Sequence, residues 1–239
     1  MCDVGSNSVK VFEKTCGELV HEIKDQQGRF VFKRPSAVLI DQREMFVKDD
    51  KEILVFDLED DFKLLRRLGE NLLRKPYGLA FDSRRNLVLI DVNNRNPVIL
   101  TIDKRNGNVL NCKPYQPCLP EYADQSVLYE LDSSVNRSAN SRLGLIPFQA
   151  NRLRFIGCNQ DSVYATDLGR SIVYKTSLDG EIEMLFGSYG GMMGELNEPS
   201  GLYVDDDGSA VLVADSRNDR LQVKLVVFFG FLCLFLSRV

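Results

Sequence analysis

The stretch PSGLYVDDDGSAVLVADSRNDRLQV, residues 199–223, decides the fold because its plan occurs elsewhere in the chain. A proline leads a short apolar run that ends in Asp, turn residues follow, and a second apolar run ends in another Asp. The same plan appears in PYGLAFDSRRNLVLIDVNNRNPVIL (76–100) and in PSAVLIDQREMFVKDDKEILVFD (35–57), and Pro35 and Pro76 are 41 residues apart. A recurrence of this length indicates a repeat protein.

The apolar runs have the composition of β-strands, because they are short, rich in Val, Ile, Leu and Phe, and bounded by Asp, Asn or Gly. SVKVFEK (8–14) alternates apolar and polar residues, whereas NLVLID (86–91) and AVLVAD (210–215) are apolar throughout, as expected for strands covered on both faces. Four antiparallel strands in about 40 residues are typical of a propeller blade. The sequence therefore predicts an all-β propeller rather than a helical solenoid or a single sandwich.

We expect residues 1–223 to form an incomplete, open β-propeller of four-stranded blades, about four to five in number. The predicted blades cover about 2–24 (partial), 35–69, 76–112, 151–187 and 199–223 (partial). The segment from about 115 to 149 lacks the motif and is either an inserted loop or a degenerate blade.

Residues 224–239 form a predicted apolar tail that departs from the repeat. Its apolar run, 225–236, is shorter than the roughly 20 residues that a membrane-spanning helix needs. Replacement of the proper continuation and a membrane anchor are the two interpretations, of which we favour the first. An uncharged segment rich in Phe and Val is an aggregation hazard wherever it is exposed.

The repeats resemble the NHL family. The similarity rests on EPSGLYVDDDGSAVLVADSRNDRLQV (198–223), on CDVGSNSVKVFEKTCGELV (2–20), on LFGSYGGMMGELNEPSGLYVD (185–205), and on the strands PYGLAFD (76–82) and PSAVLID (35–41). The resemblance implies a six-bladed propeller of the kind found at the C-terminus of tripartite-motif (RING/B-box/coiled-coil) ubiquitin ligases. Fewer than six blades leave the ring open, so we expect this chain alone to be poorly stable or to aggregate.

Catalysis is not expected. A Ser-His-Asp or Cys-His set needs a histidine base, and His21 is the only histidine. The lyase branch of the NHL propellers holds zinc with several histidines, which this chain lacks. The acidic run VDDDG (204–208) suits a hairpin turn better than a calcium site. We expect no cofactor and no metal. Cysteines without metal or disulfide spacing favour reduced thiols in a cytoplasmic protein.

The candidate site is a basic rim formed by the loops between strands two and three and by the connections between blades. If the register is right, one face collects these partner-binding candidates: Arg34, Arg74, Lys75, Tyr77, Arg95, Arg170, Arg217 and Arg220. A second set of residues recurs at the ends of strands and is expected to bond the backbone of the following loop. These structural aspartates are Asp3, Asp50, Asp91, Asp167 and Asp215.

The predicted function is a non-catalytic binding module that recognises protein clients. The resemblance implies the substrate-recognition part of a tripartite-motif ubiquitin ligase, although the chain has no Cys/His array for a RING domain. The alternative is single-stranded RNA held by the basic rim through stacking and phosphate contacts. The third hypothesis is that the chain is a purely structural or inactive product of a truncated transcript. We expect neither a small-molecule substrate nor membrane association.

Overall fold

The structure is a computed structural model that describes residues 1–23, 25–26, 29–30, 32–93, 96–114, 152–159, 162–205, 207–227 and 230–236. Across these ranges the regular secondary structure consists of β-strands and one short 3₁₀ turn, Ser216–Asn218. All strand pairs are antiparallel. The predicted all-β class is confirmed.

Four sheets have four strands each, and the strands follow one another in chain order. The first of these comprises β6 (Pro35–Asp41), β7 (Glu44–Asp49), β8 (Glu52–Asp57) and β9 (Lys63–Leu68). The next comprises β10 (Pro76–Phe81), β11 (Leu87–Asn93), β12 (Asn96–Ile102) and β13 (Val109–Pro114). The third comprises β14 (Leu153–Cys158), β15 (Ser162–Asp167), β16 (Ile172–Ser177) and β17 (Ile182–Phe186). The last comprises β18 (Pro199–Val204), β19 (Ala210–Asp215), β20 (Arg220–Val227) and β21 (Gly230–Leu236).

A fifth sheet precedes these and has three strands: β1 (Cys2–Asp3), β2 (Ser8–Phe12) and β3 (Leu19–Ile23). It corresponds to strands two to four of a blade. Between it and β6 lies a small separate hairpin of β4 (Asp25–Gln26) and β5 (Arg29–Phe30).

The five sheets are the blades of a β-propeller. The first strands of neighbouring blades lie against each other, β6 with β10, β10 with β14 and β14 with β18. At Gly78 in β10 the approach is so close that a Cβ atom would lie 2.7 Å from the backbone nitrogen of Ile156 in β14. A propeller of five blades is thus confirmed. The expected total of six and the open ring stay predictions.

The hydrophobic core lies between the blades. Successive side chains of an inner strand point to opposite faces, so they pack alternately against the preceding and the following blade. In β11, Leu87 and Leu89 pack with Phe46 of the preceding blade, whereas Val88 and Ile90 pack toward the following blade. All four β11 side chains are completely buried. Because both faces of the strand are covered, its apolar run is continuous rather than alternating.

Residues 224–227 and 230–236, which lie within the predicted tail, are strand residues of the last blade. The repeat motif ends at 223, but β20 continues to Val227 and β21 pairs with it along its length, from Leu221 with Leu236 to Val227 with Gly230. An outermost strand needs only backbone pairing and β-forming residues, so it occupies this position without the repeat motif. The predicted insertion at 115–149 lies outside the described residues.

Candidate functional site

In the second strand of each four-stranded blade, a buried aspartate at or near the end of the strand pairs with the first residue of strand one. The four pairs are Pro35 with Asp49, Pro76 with Asp91, Leu153 with Asp167, and Pro199 with Asp215. This register places the connection before strand one and the loop after strand two at the same end of every blade. We call this end of the molecule the loop face.

Each of these carboxylates accepts hydrogen bonds from the backbone of the connection that leads into strand one. Asp91 accepts from the backbone nitrogens of Arg74 (3.1 Å) and Lys75 (2.6 Å). Asp167 accepts from that of Arg152 at 2.9 Å, and Asp215 from Asn197 at 2.6 Å. A carboxylate that binds several backbone N–H groups orders the segment that carries them. The buried carboxylates therefore fix the backbone of the connections that form the loop face.

In the blade of β6 to β9 this position belongs to Asp49, so the assignment to Asp50 is wrong. Asp49 is fully buried and accepts hydrogen bonds from the backbone nitrogens of Lys33 (2.8 Å) and Arg34. Asp50 is exposed, with a φ of +48°, in the tight turn between β7 and β8. Adjacent aspartates look alike in sequence, and only strand pairing shows which one faces inward.

Asp3 and Asp167 also bond the loop that follows them, as the sequence analysis expects. The Asp3 carboxylate accepts from the backbone nitrogens of Gly5 (3.0 Å) and Ser6 (3.2 Å) and from Lys10 Nζ (2.6 Å). The lysine contact is the main cause that lowers the pKa of Asp3. Asp167 accepts from the backbone nitrogen of Gly169 at 3.0 Å.

Five of the predicted rim cations lie on the loop face. Arg34, Arg74 and Lys75 are exposed residues immediately before β6 and β10. Arg170 and Arg217 lie in the loops after β15 and β19. Backbone hydrogen bonds join the connections before strand one to the loops after strand two, for example from the Arg217 nitrogen to the Asn197 oxygen. Arg95 lies outside the described residues.

Tyr77 is the centre of a small basic cluster at the start of β10. Lys75 Nζ lies 5.6 Å from the centroid of its ring, and Arg154 Cζ lies 5.5 Å from the same centroid. Lys48 is buried and donates from Nζ to the Pro76 oxygen at 3.0 Å, and its burial lowers the pKa of the ammonium group. The cluster joins two cations, a half-buried aromatic ring and a buried lysine whose pKa is lowered by desolvation.

Neither Arg154 nor Lys48 is among the residues predicted from the sequence. Arg154 follows the first residue of β14 just as Tyr77 follows the first residue of β10, so alignment of the two strands would have found it. The blade of β14 lacks the leading proline, which hid the correspondence. No local signal marks Lys48, because its contact with the next blade is tertiary.

Arg220 is not available on the loop face, in contrast to the prediction. Its side chain is only 12% exposed, and Nε donates to the Asp215 carboxylate at 2.7 Å. The rest of the guanidinium donates to the carbonyl oxygens of Gly191, Met192 and Glu195, at 2.8–2.9 Å. Arg220 thus braces the connection between β17 and β18 instead of offering a charge to a partner.

The acidic run 204–208 and His21 were the remaining candidates for a metal site or a catalytic base, and the contacts of their described residues are those of turns and side-chain packing. The Asp205 carboxylate accepts from the Ala210 backbone nitrogen at 2.9 Å, and Asp207 accepts from the Ser209 nitrogen at 2.8 Å, which are turn contacts. His21 stacks on Phe62 with ring centroids 4.8 Å apart. Within the described ranges, no three His, Cys, Asp or Glu residues are grouped to hold a metal ion. The same ranges contain no helix with the length and apolarity to cross a bilayer.

No protein-family model matches the chain, and no curated protein matches it. Solved structures do resemble it. One is a protein of unknown function from Bacteroides caccae, with a TM-score of 0.62 and 13% identity over 97% of this chain and 70% of that one. Another is the nidogen/laminin complex, with a TM-score of 0.59 and 18% identity over 96% of this chain and 72% of that one.

A third similar structure is a catalytically inactive virginiamycin B lyase from Staphylococcus aureus with quinupristin. Its TM-score is 0.54 and its identity 12%, over 99% of this chain and 65% of that one. The chain thus spans between 65% and 72% of the length of these three proteins. At such identities the likeness shows a shared fold, the β-propeller, and nothing finer.

Proposed function

We propose that this chain is a non-catalytic binding module that recognises protein partners through its loop face. The observation that carries the proposal is the set of exposed cations on segments whose backbones are fixed by buried aspartates. Arg74 and Lys75 show the arrangement best, since both backbone nitrogens bond Asp91 while both side chains are exposed. Ordered segments lose little entropy on binding, which favours recognition.

Protein partners fit the face better than nucleic acid does. A surface for single-stranded RNA presents several aromatic rings for base stacking. Tyr77 is only half-buried, but Lys75 and Arg154 lie within 6 Å of its ring centroid and compete with a base for the ring. Cations beside an amphipathic ring are typical of protein interfaces, in which Tyr and Arg are enriched.

The resemblance to NHL repeats supports a more specific proposal. In it, the chain supplies the client-recognition part of a cytoplasmic tripartite-motif ubiquitin ligase, and ubiquitin transfer belongs to a RING domain. A catalytic role of its own has no support on the loop face. The one histidine of the sequence, His21, is in the outer strand β3 and stacks on Phe62.

A pair of matched charge reversals tests the proposal. Arg74→Glu/Lys75→Glu changes the loop face, whereas Arg84→Glu/Arg105→Glu changes exposed arginines beyond the opposite ends of the same strands. Each variant of the full chain is crosslinked in cells, and the crosslinked protein and RNA are identified separately. We expect specific protein crosslinks that the first variant loses and the second retains. Recovery of RNA that only the first variant loses would replace protein by RNA as the partner. Identical crosslinks in both variants would show that the loop face is not the site.

A further inference from the structure

We infer that the start of β10 binds a phosphate group of a partner protein, that is, a phosphorylated Ser, Thr or Tyr side chain. The site consists of Lys75, Tyr77 and Arg154, and we call it the Tyr77 site. The inference rests on the proposed function, because it assigns a ligand chemistry to one part of the loop face. It depends on the convergence of two cations, on the positions of the nearby carboxylates, and on the backbone that fixes the spacing of the cations.

Two cationic groups from neighbouring blades meet at one aromatic ring. Lys75 precedes β10 and Arg154 is in β14, and Lys75 Nζ and Arg154 Cζ lie 5.6 Å and 5.5 Å from the centroid of the Tyr77 ring. The π-system of the ring attracts each cation, but the two like charges repel each other. An anion in contact with both would remove this repulsion.

Neither cation is neutralised by the protein. Among the residues that the structure describes, no carboxylate lies within ion-pair distance of Lys75 or Arg154. Elsewhere on the propeller such pairs are common, for example between Arg66 and Glu44 at 2.6 Å. The net charge of the chain is −4, so composition does not explain two unpaired cations at one ring. The Tyr77 site is therefore a local positive potential to which an external anion is complementary.

The carboxylates of this region are directed to other groups. Asp91 is buried and accepts a hydrogen bond from the Lys75 backbone nitrogen at 2.6 Å. Asp49 is buried and accepts hydrogen bonds from the backbone of the connection before β6. Burial lowers the pKa of Lys48, and the charge of the exposed Asp50 opposes that effect without forming an ion pair with Lys48. These acids stabilise the backbone and leave the cations at Tyr77 available to a ligand.

The backbones that carry the two cations are held at a fixed separation. The hydrogen bond to Asp91 orders the backbone at Lys75. The strands β10 and β14 approach so closely that a Cβ atom on Gly78 would lie 2.7 Å from the Ile156 nitrogen. Both the connection and the contact between the blades are thus formed before a ligand arrives, which reduces the entropy cost of binding.

The charge and the spacing favour phosphate over carboxylate. A phosphorylated side chain carries nearly two negative charges near pH 7, so it can neutralise both cations, whereas a carboxylate neutralises one. Both charged groups lie within 6 Å of the ring centroid, and the Lys75 side chain is exposed, so one ligand group can contact both. Arginine binds phosphate oxygens through two parallel hydrogen bonds, and lysine adds a point charge. A protein phosphate fits better than RNA, because the cations already cover the ring on which a base would stack.

The test uses an array of short peptides of varied sequence, each with a central phosphoserine, phosphothreonine or phosphotyrosine, probed with the full chain. Peptides that bind are synthesised in phosphorylated, unphosphorylated and Glu-substituted forms. Their affinities are measured by fluorescence anisotropy for wild type, for Lys75→Ala/Arg154→Ala, and for the control Arg84→Ala/Arg105→Ala. The control removes two exposed arginines, beyond the opposite ends of the strands, that likewise have no ion pair among the described residues. A mixed-sequence single-stranded RNA is measured in parallel.

We expect the phosphorylated peptides to bind about tenfold or more tightly than their unphosphorylated and Glu forms. The Lys75/Arg154 variant should lose about tenfold or more of this affinity, and the control should bind as wild type does. Absence of binding peptides, equal affinity for the three peptide forms, or equal losses in the two variants would overturn the inference. RNA that binds more tightly than every phosphopeptide, and is lost only by the Lys75/Arg154 variant, would replace protein phosphate by nucleic acid.

Melting temperatures establish that the variants are folded. If Lys75→Ala/Arg154→Ala melts below wild type, the single variant Lys75→Ala, which changes an exposed side chain, decides instead, and unchanged phosphopeptide affinity in it would refute the inference. The proposed function fails separately, when cellular protein crosslinks survive the Arg74/Lys75 reversal. If that reversal removes the crosslinks while Arg154→Ala keeps them and no phosphopeptide is preferred, the loop face binds proteins but the Tyr77 site does not bind their phosphate groups.

Discussion

Replacing Arg220 by Ala tests whether one buried guanidinium holds the connection between β17 and β18. In the structure its side chain is 12% exposed and that of Asp215 is 0% exposed, with 2.7 Å between Arg220 Nε and the carboxylate. The substitution removes this ion pair and three hydrogen bonds to carbonyl oxygens of the connection. The blade would retain its strands and its other hydrogen bonds to the connection, but lose the three that Arg220 donates.

The expected loss in the free energy of unfolding is about 3 kcal/mol. Removal of one partner from a buried pair typically costs about 3–5 kcal/mol, because the other charge is left uncompensated. The lower end applies here, since Asp215 still accepts hydrogen bonds from Asn218, Gln222 and the Asn197 backbone, and water can reach the exposed Gly191 and Met192. The matched control is Arg217→Ala, which removes an exposed ion pair with Glu198 and should cost less than about 1 kcal/mol.

Urea unfolding followed by circular dichroism measures both values, and limited proteolysis with mass spectrometry locates any local opening. We expect Arg220→Ala to lower the unfolding midpoint and to make residues 187–198 sensitive to protease, while Arg217→Ala does neither. A loss below about 1 kcal/mol for Arg220→Ala, or equal losses for the two variants, would refute the argument that the buried guanidinium braces this connection.

Three further tests use five substitutions, and each is measured by the free energy of unfolding. Gly78→Ala should cost about 3 kcal/mol or more, because φ is +62° and the added Cβ would collide with the backbone of β14. Its control, Gly17→Ala, also has a positive φ, +73°, but open space around the added Cβ, so it should cost about 1 kcal/mol. Equal costs would contradict the close approach of the inner strands. Asp49→Asn should cost about 1–3 kcal/mol, because the buried carboxylate accepts backbone hydrogen bonds, and Asp50→Asn less than about 0.5 kcal/mol. The reverse order would show that Asp50, as predicted from the sequence, is the structural aspartate of this blade. The Arg66 guanidinium lowers the pKa of Glu44, so its stabilisation is present above the unfolded pKa, near 4.5, and is lost as pH falls through the folded pKa. Glu44→Gln should therefore lower stability slightly at pH 7 and weaken the decline below pH 4.5, and an unchanged decline would contradict this.

The strands and their grouping into blades followed from local chemistry. Apolar runs such as NLVLID (86–91), bounded by turn residues and repeated with Pro and Asp at fixed places, specify strand length and order wherever they occur. Residues 63–68, within the predicted blade 35–69, form its outer strand in the structure. Side-chain type and spacing are sufficient to predict strands and their order, because strand formation depends mainly on residues that are close together in the chain.

The positions of individual side chains depended on strand pairing and on contacts between blades. Asp49 and Asp50 are equivalent by composition, yet the pairing of β6 with β7 buries only the first. Arg220 has the residue type of a surface cation, but packing of two connections turns it inward. Arg154 and Lys48 reach the start of β10 from neighbouring blades, which no distance along the chain reveals. A one-dimensional pattern specifies which residues alternate, whereas burial and charge pairing are decided by whatever the folded chain brings next to them.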